Sequence, residues 1–167
     1  MAAIPLLSQT ILVGTTWSAP ATAPGLGAGV TVAGTISSST DISAFVRSIT
    51  VDISADELDW TNFASGGSRQ KMSGLEAGTI TIELNQDYAA SATHALFRPG
   101  GTIGYQKGQT TPYYLDLKPT SSARGATNPS FVCAFLNNTF NLGGSVGELG
   151  AQSFQFPITG IWAFLTA

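Results

Sequence analysis

The chain has 167 residues, of which only 10% are Asp, Glu, Lys or Arg, and its net charge is −3; an ordinary soluble domain is about 25% charged. A balance this sparse and slightly acidic lacks the basic patch that holds nucleic acid by displacing counterions. One cysteine and one histidine exclude an intrachain disulfide framework and leave too few ligands for a zinc site.

Met1 to Thr40 and Leu149 to Ala167 contain no charged side chain. A lone particle needs an ionic coat to stay dispersed, so the shortage points to a surface covered by partners. No apolar run reaches the length of a transmembrane helix. The start of the chain lacks the basic residues of a signal peptide, so synthesis in the cytoplasm is expected.

The spacing predicts a first strand over Thr10–Trp17. Ser18–Gly29, rich in Ala, Pro and Gly, reads as an extended arm, and Val30–Ile36 as a short strand. Two strongly alternating runs follow. Ile49, Val51 and Ile53 alternate with Ser48, Thr50, Asp52 and Ser54, and Ile80, Ile82 and Leu84 with Thr79, Thr81 and Glu83. A period of two gives each strand one apolar and one polar face. Between them, Ala55 to Ala77 reads as a loop longer than the roughly 12–15 residues usual for an unstructured link. It holds Leu58, Trp60, Phe63, Met72 and Leu75, too much apolar surface to leave in water, so it is expected to order against another copy of the chain.

A helix is predicted over Tyr88–Phe97, with Tyr88, Ala92, Ala95 and Leu96 on one stripe. Asp87 is its expected cap, and Arg98, Pro99 and Gly100 its stop. Strands are expected at Thr102–Gln106, Tyr113–Lys118, Phe131–Leu136 and Ala151–Thr159. The third is buried on both faces, because it is apolar throughout. Pro157 cannot donate to a ladder and belongs at an edge or bulge. Recurrent turn signals and 19 glycines favour an all-β sandwich or barrel with one short flanking α-helix, built as a single domain over 1–167.

Few residues suggest chemistry. Gly143-Gly144-Ser145-Val146-Gly147 matches the nucleophile elbow G-x-S-x-G, but that motif needs a following helix and a later histidine; His94 comes earlier. Cys133, within Phe-Val-Cys-Ala-Phe-Leu, reads as a core thiol. Asp56, Glu57 and Asp59 form an acidic cluster without the alternating ligands of a calcium loop. Pairing with Arg69 or Lys71, or plain solvation, accounts for it. No catalytic residue, cofactor or metal is assigned.

Several stretches together resemble the major tail tube proteins of long-tailed, siphovirus-like bacteriophages. They are Ser-Ala-Asp-Glu-Leu-Asp (54–59), Thr61 to Phe63, Ser-Gly-Gly-x-Arg (65–69), Gly-Leu-x-x-Gly-Thr (74–79), Glu83 to Asp87, Leu-Gly-Gly-Ser-Val-Gly-Glu-Leu (142–149) and Phe-Pro-Ile-Thr-Gly (156–160). The resemblance spans roughly residues 41–162 and rests on order and spacing rather than on any one piece. It implies a non-enzymatic virion protein that forms rings, expected to be hexameric. The rings would stack into a hollow tail tube that passes double-stranded DNA without binding it specifically and without inserting in a membrane. Implied partners are further copies of the chain and other tail proteins such as tape measure, tail terminator and distal tail proteins. On this reading Asp56, Glu57, Trp60, Phe63, Arg69 and Lys71 are candidates for the subunit or ring-stacking interface, and Thr50, Asp52, Thr81 and Glu83 for the lumen face. A competing reading is a carbohydrate-binding or capsid-decorating β-sandwich using Trp17, Trp60 and Trp162.

Overall fold

A computed structural model describes residues 9–18, 35–62, 66–89, 92–142 and 150–165. The elements are β1 (Thr10–Ser18), β2 (Thr35–Asp41), β3 (Val46–Asp59), β4 (Lys71–Asn85), α1 (Thr93–Phe97), β5 (Tyr113–Lys118), β6 (Ser130–Phe135) and β7 (Ala151–Leu165). All strand pairs are antiparallel, in the order β2-β1-β5-β6-β7-β4-β3. The described residues are therefore nearly all antiparallel β-sheet with one short helix.

The two ends of β7 have different partners. Ala151 to Pro157 pair with β4, whereas Ile158 to Leu165 pair with β6. A strand that changes partner in this way carries the sheet round a corner. Pro157 stands at the changeover, where the β6–β7 register is irregular. A residue without an N–H suits a point where one ladder ends and another begins.

The corner folds a β2-β1-β5-β6-β7 layer over a β7-β4-β3 layer. Ile11, Val13, Leu115, Phe131, Cys133 and Phe135 of the first meet Ile80, Ile82, Leu84, Phe154 and Phe156 of the second in one apolar core. Phe97 of α1 stacks on Phe154 and Phe156, with ring centroids 5.2 and 5.9 Å away. Burying one such ring contributes about 1.5–3 kcal/mol. Every residue of β6 is buried, as its unbroken apolar run requires. Its outward Val132 joins Ala163 and Leu165 in a second cluster, with Trp17 and Ile36 packed against it.

Several expectations change. The helix spans Thr93–Phe97, not Tyr88–Phe97. Asp87 does not cap it: its carboxylate accepts the Ala89 N–H at 2.8 Å in a turn ahead of the helix. The Thr93 hydroxyl instead accepts from Asp87 N and donates to Asn85 O, tying the helix to the end of β4. Thr102–Gln106 is not a strand. The amides of Ile103 and Tyr105 bond back to Leu96 O and Phe97 O, Gly104 N to Gly101 O and Gln106 N to Asn137 O, so this stretch divides its backbone donors between the helix and local turns rather than a ladder. Thr35 to Asp41 form the second strand; Ser18–Gly29 lies almost wholly, and Val30–Ile36 mostly, outside the described residues.

The largest correction concerns Ala55 to Ala77. Most of this stretch is strand: β3 runs on to Asp59 and β4 begins at Lys71, so the predicted long loop shrinks to a tip around residues 60–70. Gly66 and Gly67, with φ of 62° and 84°, supply the left-handed backbone of that tip.

Candidate assembly surface

β3 and β4 form one long hairpin, but β7 accompanies β4 only from Thr79 onward. The outer part, Ser54–Asp59 against Lys71–Ala77, is therefore a two-stranded arm reaching past the sandwich by roughly 20 Å at about 3.4 Å per residue. Its ladder continues from the core, and local bonds brace the tip. Trp60 N donates to Gln70 O at 2.9 Å and Gln70 N to the Thr61 hydroxyl at 3.1 Å. Lys71 pairs with Glu57. The Asp59 carboxyl is held below its ordinary value by hydrogen bonds from the Thr61 hydroxyl and the Thr61 N–H.

A register shift reorganises the arm's faces. Between the pairs Ala55–Glu76 and Glu57–Ser73, β3 contributes one intervening residue, Asp56, and β4 two, Gly74 and Leu75. The extra residue on β4 is a bulge. Along β3, Ile49, Val51 and Ile53 face the core, and the same face continues as Ala55, Glu57 and Asp59. The opposite face runs Ser48, Thr50, Asp52, Ser54 and Asp56 and then Leu58 and Trp60, with Met72 across from Leu58. The hairpin thus exchanges polarity between its faces: apolar inside and polar outside as far as Asp56, and beyond it Leu58, Trp60 and Met72 outside against Glu57, Asp59 and Lys71 inside. Leu58, Trp60 and Met72 are 49%, 57% and 45% exposed, and Leu75 at the bulge is 85% exposed.

The candidate interface residues mostly meet on this arm. Asp56, Glu57, Trp60, Arg69 and Lys71 are all exposed there; Phe63 lies outside the described residues. The four lumen candidates also share a face. Thr50 sits across from Thr81, and Ser48, across from Glu83, donates its hydroxyl to the Glu83 carboxylate at 3.0 Å. Asp52 lies opposite Thr79, and exposed Ser153 and Gln155 of β7 extend this flat surface. Its charged groups are the carboxylates Asp52 and Glu83.

A cleft of about 240 Å³ opens where β7 departs from β4, between Ile53, Glu76 and Gly78 on one side and Ile158 and Trp162 on the other. Trp162 Nε1 donates to Glu76 Oε2 at 3.2 Å across it. A Cβ on Gly78 would come within 2.8 Å of Ile158 Cδ1, so glycine lets the two layers close here. The three tryptophans do not form one platform: Trp60 is on the arm, Trp162 stands between Phe131 and Phe164, and Trp17 lies against Tyr114 in the second cluster.

Chemistry is sparse at every other candidate. No group of His, Cys, Asp and Glu suited to a metal occurs among the described residues. Burial pushes the Cys133 thiol well above its ordinary range, so it does not act as a thiolate. Residues 143–147, the G-x-S-x-G match, lie outside the described residues. No helix among the described residues is long and apolar enough to cross a membrane.

Sequence reasoning missed two exposed apolar residues at the opposite end of the hairpin layer. Tyr88, 66% exposed, follows the end of β4, and Leu142, 63% exposed, precedes β7. Asn141 binds this end together: its side chain donates to Ser153 O and its carbonyl accepts from Gln152.

No protein-family model matches the chain, and no curated protein matches it. Solved structures do. A chain in the virion of a native gene transfer agent (GTA) particle superposes with a TM-score of 0.55 at 15% identity, over 77% of this chain and 89% of that one. A chain in the tail of an empty GTA particle, a structure computed with helical refinement and C6 symmetry, gives 0.51 at 14%, over 77% and 87%. At such identities the likeness is one of fold: this chain has the β architecture of a chain found in gene transfer agent particles.

Proposed function

We propose that this protein is a structural subunit of a phage-like tail, the major tail tube protein, which polymerises as stacked rings of six into a hollow tube that carries DNA. The observation that carries the reading is the arm: a paired hairpin that leaves its own sandwich and exposes Leu58, Trp60, Met72 and Leu75. A two-stranded hairpin is marginal in water by itself, and contiguous exposed apolar surface marks an interaction site. The fold likeness to a chain from a tail with C6 symmetry supports both the tail and the sixfold ring.

The rest of the molecule suits that role. β2 and β3 are the terminal strands of the sheet order, and unpaired strand edges are templates for joining copies. A head-to-tail contact that closes by rotation makes a ring. The face carrying Thr50, Asp52, Thr81 and Glu83 lines the bore, where hydroxyls and carboxylates let phosphates slide without capture. The arm joins successive rings, with Trp60 as its apolar anchor and Arg69 pairing across the boundary; aromatic and Arg residues dominate such contacts. The subunit does no chemistry, and its partners are its own copies and the other proteins of the tail.

Negative-stain imaging of the purified protein at rising concentration tests this: tubes are expected from the wild type, and folded subunits without tubes from Trp60→Ala or Arg69→Glu. A wild type that stays monomeric at high concentration overturns the reading, and normal tubes from both variants overturn the role of the arm.

A further inference from the structure

Resting on that reading, we propose the acceptor for the arm: the far end of the same layer on a second copy, centred on Tyr88 and Leu142. Seven large apolar side chains are strongly exposed among the described residues. Four of them, Leu58, Trp60, Met72 and Leu75, are on the arm. Two, Tyr88 and Leu142, are at the opposite end of β4 and β7, some fifteen residues of strand away along β4. The seventh, Phe164, is on the second half of β7. The hairpin layer thus has an apolar patch at each end of its strand axis and the polar Thr50, Asp52, Thr81 and Glu83 surface between.

Two patches at opposite ends of one axis suit a heterologous contact, in which each copy gives one patch and receives the other. Such a contact does not close and propagates along the axis. Charge selects this arrangement over arm against arm. The arm carries Asp56, Glu57, Asp59 and Glu76 against Arg69 and Lys71, so two arms face to face would set acid against acid. The receiving end instead offers Arg47, and its nearby carboxylates Glu83 and Asp87 already accept from the Ser48 hydroxyl and the Ala89 N–H. Arg47 is the extra residue in β3 opposite the Leu84–Glu83 step, it is exposed, and it has no ion pair among the described residues. The arm of one copy therefore lays Trp60 and Met72 over Tyr88 and Leu142 of the next, with Asp56 brought toward Arg47. Tyr88 is held for this: its ring lies 4.7 Å from that of His94, and its hydroxyl donates to Gln86 at 2.9 Å.

Cross-linking tests the pairing in the assembled particle. Met72→Cys and Leu142→Cys proteins are prepared separately, mixed, polymerised and oxidised, and free thiols are blocked before denaturing electrophoresis. The native Cys133 is fully buried and does not compete. A disulfide-linked dimer in the mixture, absent from either variant alone, is the expected result. Tubes that form in the mixture without that dimer overturn the arm-to-acceptor contact while leaving the tail tube reading intact. Wild-type protein that never forms tubes removes both. A charge exchange gives an independent check. Arg47→Glu is expected to raise the concentration needed for polymerisation about tenfold, and Arg47→Glu with Asp56→Arg to restore it. No recovery in the double variant overturns the assigned register.

Discussion

The inner and outer halves of the β3–β4 hairpin share one backbone ladder and differ in almost everything else. In the inner half, Ile80, Ile82 and Leu84 are at most 1% exposed, and Ile80 and Ile82 lie beside Phe156 and Phe154 across the β4–β7 ladder. In the outer half the pairing continues through Asp59–Lys71, yet no described residue is buried. Cross-strand hydrogen bonds extend a ladder as far as its register holds. The apolar core that makes such a ladder independently stable stops at Gly78. The body thus has an apolar core of its own, and the arm is a preformed shape that finds none among the described residues of its own chain.

The largest test of that contrast is Phe97→Ala, which empties the ring stack and is expected to lower the stability of the body by about 3–5 kcal/mol, read by denaturant unfolding. Gly78→Leu attacks the boundary between the two halves. Its side chain must displace Ile158, at a cost of about 1–3 kcal/mol. Trp60→Ala, on the arm, is expected to move unfolding by less than about 0.5 kcal/mol, as surface changes do, while abolishing tubes. A large loss of stability there would mean that the arm belongs to the folding unit after all. Lys71→Ala removes only an exposed ion pair, worth about 0–1 kcal/mol.

The smallest effect is local and pH-dependent. Because the Asp59 carboxyl is lowered in the folded arm, its bonding to Thr61 contributes at all pH above the ordinary carboxylate value and is lost as pH falls through the lowered one. The Thr61 amide resonance should titrate below the ordinary Asp value of 3.8. An inflection at or above it would mean that the tip is open in solution.

The body was legible because its apolar residues keep phase. Ile49, Val51 and Ile53, then Ile80, Ile82 and Leu84, and the unbroken Phe131–Leu136 run each announce a strand, and all are observed as strand, apart from Leu136 just past the end of β6. The arm was not, because its apolar residues change phase. After Ile53 the next are Leu58 and Trp60, on the other face, and on β4 the bulge breaks the count at Gly74 and Leu75. A period-two reading stops at such a step and sees a loop. Gly66-Gly67, the one local sign of a hairpin tip, does not by itself reveal how far the strands on either side extend. Thr102–Gln106 failed for a different reason: two of its amides bond to α1 and one to Asn137, which no local pattern encodes. Of the candidate surface, the cluster around Trp60 was visible as apolar excess in a polar stretch. Tyr88 and Leu142 were not, since each is a single apolar residue whose exposure depends on which end of the sheet it caps.

β7 belongs to both layers, and that has a mechanical meaning. A tension applied at the arm runs down β4 into the seven-residue ladder with β7, then round the Pro157 corner into β6. Force along paired strands loads those ladder bonds together in shear rather than peeling them one at a time. A filament linked through such arms would stretch as a cable whose weakest joint is the contact between copies, so that overload parts the subunits and leaves each of them whole.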